Sequence, residues 1–270
     1  MNSALDVARR AAQKGGDCIR KSWGRVHDVQ FKGAVDLVTE TDLESQRIIV
    51  AEIRGAFPDH SILAEEEGLS EERGDDLWMI DPLDGTTNFA HRFPFVCVSI
   101  AHLKEDVIDI GVIYNPMLNE FFWAERGCGA YLNNRRIRVS EASDLRKSLI
   151  ATGFPYDLES VRSEVIRRFE NMLSSSQGIR RAGSAALDLA YVASGALDGF
   201  WEQLLKPWDI AAGILLVEEA GGRVSDFHGN PVDLLGGRTM ASNGRIHAQM
   251  SEKLSLEREK EKDVAASYGR

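Results

Sequence analysis

Cysteine is scarce: Cys18, Cys97 and Cys128 are all that 270 residues contain. An odd, widely spaced set excludes a disulfide-stapled scaffold and predicts free thiols in a reducing cytoplasm. Cys97, inside Phe95-Val-Cys-Val-Ser-Ile100, reads as plain core. Positive charge is short as well. Lys and Arg number 32 against 42 Asp and Glu, a formal charge of −10, so coating nucleic acid is a poor expectation. No apolar run is long enough to cross a bilayer. The opening Met1-Asn-Ser-Ala-Leu-Asp-Val-Ala-Arg-Arg10 lacks the basic-then-apolar order of a signal peptide. The expectation is a cytoplasmic protein without a membrane partner. Several catalytic motifs are missing: there is no GxSxG, no GxxxxGK(S/T) and no GxGxxG. The six histidines are scattered, none forms HExxH, and no CxxC exists, so nothing suggests zinc. No internal repeat is visible.

What the chain does have is core. With 43% apolar residues it can fill one large or two modest domains. Apolar residues at Leu5, Ala8, Ala11, Ala12, Ile19 and Trp23 predict a helix over 3–23, weakened in its middle by Gly15-Gly16. A second helix is expected from Thr41, read as an N-cap with Glu44 three residues on, to Phe57 before Pro58. Strands follow at 61–64, 77–80, 95–103, 107–114 and 120–124, with a hairpin over 131–139 around Asn133-Asn134. The first half thus reads as two helices on a mostly antiparallel sheet. In the second half, strands at 148–152, 179–182, 197–201, 223–225 and 239–242 alternate with helices at 157–173, 185–194, 209–220 and from about 244. That alternation predicts an α/β layered architecture. A boundary near 140–147 would divide the chain into 1–142 and 143–270. Residues 252–270 are charge-rich and read largely as a tail.

One stretch stands apart. Leu77-Trp-Met-Ile80 reads as a buried strand, and Asp81-Pro-Leu-Asp84-Gly-Thr86-Thr-Asn-Phe follows at its end. Pro82 biases Asp81 toward an extended backbone. Gly85 permits a tight turn, and Thr86, Thr87 and Asn88 suit a helix start whose N–H groups would form an anion site. Further carboxylates share this context of strand end or helix start: Glu65 with Glu66 after Ser61-Ile-Leu-Ala64, and Asp209 in Pro207-Trp-Asp209-Ile. Each has an ordinary reading: an Asx turn for Asp81 and Asp84, a solvated acidic loop at 65–67, a helix cap for Asp209. Together they point elsewhere. Carboxylates gathered in one cleft repel, at roughly 4 kcal/mol per pair at ~4 Å and an effective dielectric near 20. Either their pKa values rise or cations sit between them, and oxygen-only donors favour Mg²⁺, Mn²⁺ or Ca²⁺.

These residues resemble a known family. Asp81-Pro-Leu-Asp-Gly-Thr-Thr-Asn-Phe89 and Trp208-Asp-Ile-Ala-Ala-Gly-Ile-Leu-Leu-Val-Glu-Glu-Ala-Gly-Gly222 look like the two signatures of the inositol monophosphatase family. Asp36-Leu-Val-Thr-Glu-Thr-Asp42, Leu63-Ala-Glu-Glu66, Gly183-Ser-Ala-Ala186 and Ala241-Ser-Asn-Gly244 match in the same order, over roughly residues 5–250. The resemblance implies a five-layer α/β/α/β/α sandwich of the type shared with fructose-1,6-bisphosphatase. It implies a phosphatase that uses two or three Mg²⁺, with Mn²⁺ as a substitute, and that lithium inhibits. Glu65, Asp81, the Leu83 carbonyl, Asp84 and Asp209 would be the ligands. Thr86 with Asp42 would orient and deprotonate the attacking water, and Glu66 would stand behind the ligands or on a weaker third metal. Gly85 and Thr86 would cradle phosphate, while Asp84, Gly183, Ser184, Ala185 and Glu202 would meet substrate hydroxyls. Arg180 and Arg181 would approach the substrate or sit at a subunit contact, and Lys32 precedes Asp36 by one residue fewer than in the animal enzymes, so the short loop around Gly33-Ala34 departs from the family's metal loop. A phosphate ester, myo-inositol monophosphate first, is the expected substrate, and a homodimer the expected assembly. Fructose 1,6-bisphosphate or another sugar or nucleotide phosphate is the alternative substrate. An RNA polymerase- or RNA-associated role, known for some bacterial members, is the alternative of another class.

Overall fold

Ser3 starts the first helix by accepting the Asp6 N–H at 3.1 Å, and α1 runs Ala4–Ser22. The computed structural model describes residues 3–25, 29–31, 37–69, 74–235 and 237–256. Gly15 and Gly16 do not break α1. Both are buried, and a Cβ on Gly15 would press on Ile49 while one on Gly16 would overlap Tyr114. The propensity lost, ~1 kcal/mol per glycine, is exchanged for close approach to α2 and the sheet. The second helix, α2, runs Glu40–Ala56, and its cap corrects the expectation. Thr39, not Thr41, is the N-cap, and its partner in the capping box is Asp42 rather than Glu44. Thr41 is itself helical and buried.

Strands β1 (Val29–Phe31) and β2 (Leu37–Thr39) pair antiparallel ahead of α2. An eight-stranded sheet follows from β3 (Ser61–Ala64), β4 (Gly68–Leu69), β5 (Asp76–Asp84), β6 (Cys97–Lys104), β7 (Val107–Asn115), β8 (Glu120–Glu125), β9 (Gly129–Leu132) and β10 (Arg135–Arg136). Its order is β10-β9-β8-β7-β6-β5-β3-β4, antiparallel throughout except β3 with β5. The short helix α3 (Thr86–Ala90) leaves the end of β5. The second sheet takes β11 (Leu149–Thr152), β12 (Gly178–Arg180), β13 (Gly199–Gln203), β14 (Arg223–Ser225) and β15 (Arg238–Ser242) in the order β12-β11-β13-β15-β14. Helices α4 (Arg162–Leu173), α5 (Ala185–Ala193), α6 (Pro207–Glu219) and α7 (His247–Leu254) connect or flank it. Strand β13 begins two residues later than its periodicity suggests, which puts Glu202 within the strand rather than after it.

Three apolar clusters separate the layers. Val7, Ala11, Ile49 and Ile53 of α1 and α2 pack on Trp78, Ile80 and Val112 of the large sheet. Leu189, Ile210 and Leu215 of α5 and α6 fill the space between the two sheets. Met172 and Met250 of α4 and α7 cover the outer face of the small sheet at Ile150 and Trp201. Helix α6 is buried on nearly every side, as a helix between two sheets must be. The result is the expected α/β/α/β/α sandwich. The cut at 142/143 separates the two sheets, while α6 from the second half packs against β5 to β9 of the first. That packing brings the start of α6 to the end of β5.

Candidate active site

Strand β5 is apolar to Ile80 and then turns acidic. Its register with β6 shifts between Asp81 and Asp84, because Pro82 has no N–H to give the ladder. The Pro82 carbonyl accepts from Ser45 Oγ at 2.8 Å instead. Asp81 Oδ1 accepts the Leu83 N–H at 3.0 Å, and Asp84 Oδ2 accepts from Ser184 Oγ at 2.6 Å and the Ala186 N–H at 2.8 Å. Gly85 then turns the chain at φ 93°, where a Cβ would lie 2.9 Å from the Phe95 carbonyl oxygen, so only glycine fits. Asn88 ties the two halves together here: its amide donates to the carbonyls of Phe95 at 2.9 Å and Ala182 at 2.8 Å.

Parallel pairing of β3 with β5 sets their ends side by side, and the Glu65 N–H donates to the Ile80 carbonyl at 3.1 Å. Asp209 is the third residue of α6 and accepts the Lys206 N–H at 2.7 Å. It is a helix cap, as its local sequence suggests, and it also faces the cleft. Glu65, Asp81, Leu83, Asp84 and Asp209 line one cavity of about 100 Å³ together with Thr86 and Glu202. Burial, then the fields of Glu65, Asp84 and Asp209, push the Asp81 carboxyl well above its ordinary value. Burial and Asp84 do the same to Asp209. Asp84 is raised to about 6 by burial, against the bonds from Ser184 and Ala186. Arg181 is the one basic side chain among the described lining residues. It faces five lining carboxylates, Glu65, Asp81, Asp84, Glu202 and Asp209. An all-oxygen donor set of this charge fits a hard divalent cation.

Thr86 lines the cleft, and Asp42 lies behind it, fully buried. Thr86 Oγ lies 2.9 Å from Asp42 Oδ1 and 3.1 Å from the Leu83 carbonyl. Asp42 Oδ2 accepts from Thr39 N at 2.9 Å and Thr39 Oγ at 2.5 Å. The capping box of α2 therefore aims one carboxylate oxygen at Thr86 by occupying the other. Burial raises Asp42 to about 6, opposed by these hydrogen bonds.

The opposite wall holds Glu202, seated over Gly153, where any Cβ would overlap its carboxylate. Burial lifts Glu202 to about 8, with Arg181 pulling down and Asp84 pushing up. Of Gly183, Ser184 and Ala185, only Ala185 is among the residues lining the cleft. Ser184 is buried as the N-cap of α5 and gives its hydroxyl to Asp84. Glu66 binds Gln46 through its N–H at 3.0 Å and bears on Asp42 through its field. Arg180 is exposed. Lys32 and Asp36 lie outside the described residues.

Sequence reasoning missed several of these roles. Gly153 was passed over and Asn88 read only as a helix-entry residue, and the two act on partners 49 and 94 positions away. Asp188 is buried with Oδ1 unpartnered, its carboxyl raised well above the ordinary value by burial and then Glu202. An acid inside the apolar run Ala185–Ala193 was its only signal. Cys97 is core as expected, yet its Sγ sits 3.6 Å from Ser184 Oγ. The scattered histidines also need correcting. His60 and His102 meet Asp76 with ligand-type atoms within 4.8 Å, a group that could hold a metal. It lies at the start of β5, about 16 Å of strand from Asp81 by rise per residue. His60 Nδ1 accepts the Trp78 indole N–H at 3.1 Å, which places the proton of neutral His60 on Nε2, toward Asp76.

The raised carboxyls make a pH prediction. A folded pKa above the unfolded one favours the neutral form in the fold. The stabilisation is full below the ordinary values of 3.8 and 4.5 and is lost as pH rises through about 6 for Asp42 and Asp84 and about 8 for Glu202. Chelator-treated protein should melt lower at about pH 8.5 than at about pH 5.5, and Mg²⁺ should restore the alkaline melt. An equal or higher melt at alkaline pH without metal would contradict the crowding of acids described above.

The sequence model of the inositol monophosphatase family matches residues 1–260. The chain is 48% identical over 253 residues to an inositol-1-monophosphatase of Synechocystis sp., covering 93% of this chain and 88% of that one. It is 45% identical over 249 residues to the Nus factor SuhB of Escherichia coli, covering 91% and 93%. Among solved structures, the extragenic suppressor protein SuhB of Bartonella henselae superposes with a TM-score of 0.89 at 42% identity, over 93% of this chain and 98% of that chain.

Proposed function

The chain belongs to the inositol monophosphatase family, a family of metal-dependent phosphatases, and from that premise we propose that it hydrolyses myo-inositol monophosphate with Mg²⁺. The observation that carries this reading is the meeting of Glu65, Asp81, Asp84 and Asp209 in one cleft, with Thr86 on its wall and Asp42 behind it. Glu65, Asp81, the Leu83 carbonyl, Asp84 and Asp209 would hold the metal, which would supply positive charge against the phosphate and lower the pKa of a water. The other steps belong to the chain. Thr86 donates to Asp42, so its oxygen lone pairs face the cleft and accept from the incoming water. As water attacks phosphorus in line, the ester P–O bond breaks; the water's proton passes to Thr86 Oγ while the Thr86 proton passes to Asp42, and the departing alcohol oxygen takes a proton from solvent. Gly85 and Thr86 present backbone N–H groups to the phosphate, and Glu202 accepts from a hydroxyl of the leaving alcohol.

Glu202 makes the substrate claim testable. Cations held in the cleft would favour the ionised form of Glu202 against its raised metal-free value of about 8, and a hydroxyl hydrogen-bonded to a charged acceptor contributes on the order of 1.5–3 kcal/mol. Glu202→Ala should therefore cost inositol 1-phosphate roughly 10- to 150-fold in kcat/KM, and a simple aryl phosphate much less. Equal losses on both substrates would assign Glu202 to the metal site or the fold. A profile across inositol 1-phosphate, fructose 1,6-bisphosphate, NADP and 3′-phosphoadenosine 5′-phosphate tests the reading as a whole. Highest kcat/KM on one of the other three would replace the substrate and keep the chemistry.

The same proposal extends to inhibition by lithium and to a homodimer. A second reading rests on the likeness to the Nus factor SuhB: an RNA polymerase-associated role that does not need turnover. A cell carrying only an Asp81→Asn variant separates the two, because a regulatory role survives that change and a metabolic one does not.

A further inference from the structure

The buried face of α2 is polar where an amphipathic helix is ordinarily apolar. Asp42, Ser45, Gln46, Ile49 and Ile53 share one stripe at helical spacing. The two isoleucines pack in the core, yet the first three residues carry polar atoms and are at most 1% exposed. Burying a polar side chain costs stability unless it finds a partner. All three find one on the two segments that bring carboxylates to the cleft. Asp42 accepts from Thr86 Oγ at 2.9 Å. Ser45 Oγ donates to the Pro82 carbonyl at 2.8 Å, and Gln46 Oε1 accepts the Glu66 N–H at 3.0 Å. Helix α1 leaves room for this contact: a Cβ on Gly15 would lie 3.0 Å from Ser45 Oγ.

The peptide between Pro82 and Leu83 shows what Ser45 can do. Its carbonyl is held by Ser45, and its N–H is held by Asp81 Oδ1 at 3.0 Å. One rigid plane therefore runs from α2 to the Asp81 carboxylate, and a hydrogen bond at one end of a peptide strengthens the bond at the other. The ladder between β5 and β6 is irregular at this point, so α2 takes over from the sheet. Gln46 acts in the same way after β3, where it holds the peptide that joins Glu65 to Glu66. We infer that Ser45 and Gln46 are positioning residues that preset the cleft for a cation, Ser45 through Asp81 and Gln46 through Glu65. The inference rests on the reading of the cleft as a metal site. Neither side chain is among the residues lining the cleft; each acts through a backbone peptide.

Electron paramagnetic resonance of Mn²⁺ reads binding without substrate or turnover. Ser45→Ala and Gln46→Leu should each weaken Mn²⁺ about 10- to 100-fold, the usual effect of removing a group that orients a metal ligand. Gln46→Glu should bind at least as tightly as the parent, because a carboxyl group accepts the same N–H in either protonation state. In Mg²⁺-dependent turnover the loss should appear in the Mg²⁺ concentration required and not in kcat at saturation. Ser148→Ala serves as the control. It removes an equally buried hydroxyl that donates to the Asp144 carbonyl at 2.9 Å, beside the small sheet, and should leave Mn²⁺ binding at the parental level. Parental affinity in Ser45→Ala, an equal loss in Ser148→Ala, or a Gln46→Glu variant as weak as Gln46→Leu would overturn the positioning role. Asp81→Asn keeps the two readings apart. Parental binding in that variant refutes the metal cleft itself, whereas its loss beside an unaffected Ser45→Ala refutes the positioning alone.

Discussion

Asp81→Asn should abolish most turnover and raise the melting temperature of the metal-free protein. Asp81 is 3% exposed and faces the fields of Glu65, Asp84 and Asp209. Without a cation the fold holds that carboxyl against burial and three like charges. An amide of the same shape removes the repulsion and keeps an acceptor for the Leu83 N–H. The metal-free fold therefore gains at neutral and alkaline pH. Turnover falls because a charged ligand is gone. A loss of roughly 3–5 kcal/mol of transition-state stabilisation corresponds to about 10²- to 10⁴-fold in kcat. Opposite signs for stability and activity are the mark of a residue kept for chemistry. Asp209→Asn should lose activity similarly, with a smaller gain in stability, since its carboxylate also caps α6. Near-parental turnover in either folded variant would sink the ligand assignment.

Thr86→Ala and Asp42→Asn should each lower kcat by about 10²- to 10⁴-fold, the usual range for a positioned proton acceptor. KM should change little, because the pair meets water and not the substrate. The double variant should be about as slow as the worse single one. The geometry explains why. Asp42 turns one oxygen to Thr39 and the other to Thr86. An Asn there must point its NH₂ at one of them. Facing Thr39, it meets the Thr39 N–H and the helix cap fails. Facing Thr86, it donates where the carboxylate accepted, and the Thr86 hydroxyl turns around. Thermal melts separate these outcomes, since only the first destabilises α2. Additive losses in kcat would mean that Thr86 and Asp42 act independently.

Much of this site was legible because its residues are local in sequence. Asp81 to Thr86 is one strand end and one turn, and Pro82 and Gly85 mark the extended residue and the tight turn in the sequence itself. The layered fold was legible for a similar reason: the periodicity changes between the two halves. The cap of α2 was misplaced because Thr39-x-x-Asp42 and Thr41-x-x-Glu44 are both reasonable capping boxes. Burial of Thr41 and Asp42 decides between them, and burial is a tertiary property. The seat of Glu202 on Gly153, the Asn88 clasp and the meeting of His60 with His102 were illegible. Each joins segments whose adjacency is set by sheet order. Ser184 was read as a wall residue from its motif, and its hydroxyl is committed to Asp84. The motif locates the segment, while only the fold shows which way each side chain turns.

The most direct test is phosphate release from inositol 1-phosphate by purified protein stripped of metal with chelator, before and after addition of Mg²⁺. No measurable turnover is expected in the stripped protein, with full recovery on adding Mg²⁺ and none in Asp81→Asn under the same conditions. Turnover that persists unchanged without metal, or equal recovery in Asp81→Asn, would contradict a reaction built on the Glu65, Asp81, Asp84 and Asp209 cleft.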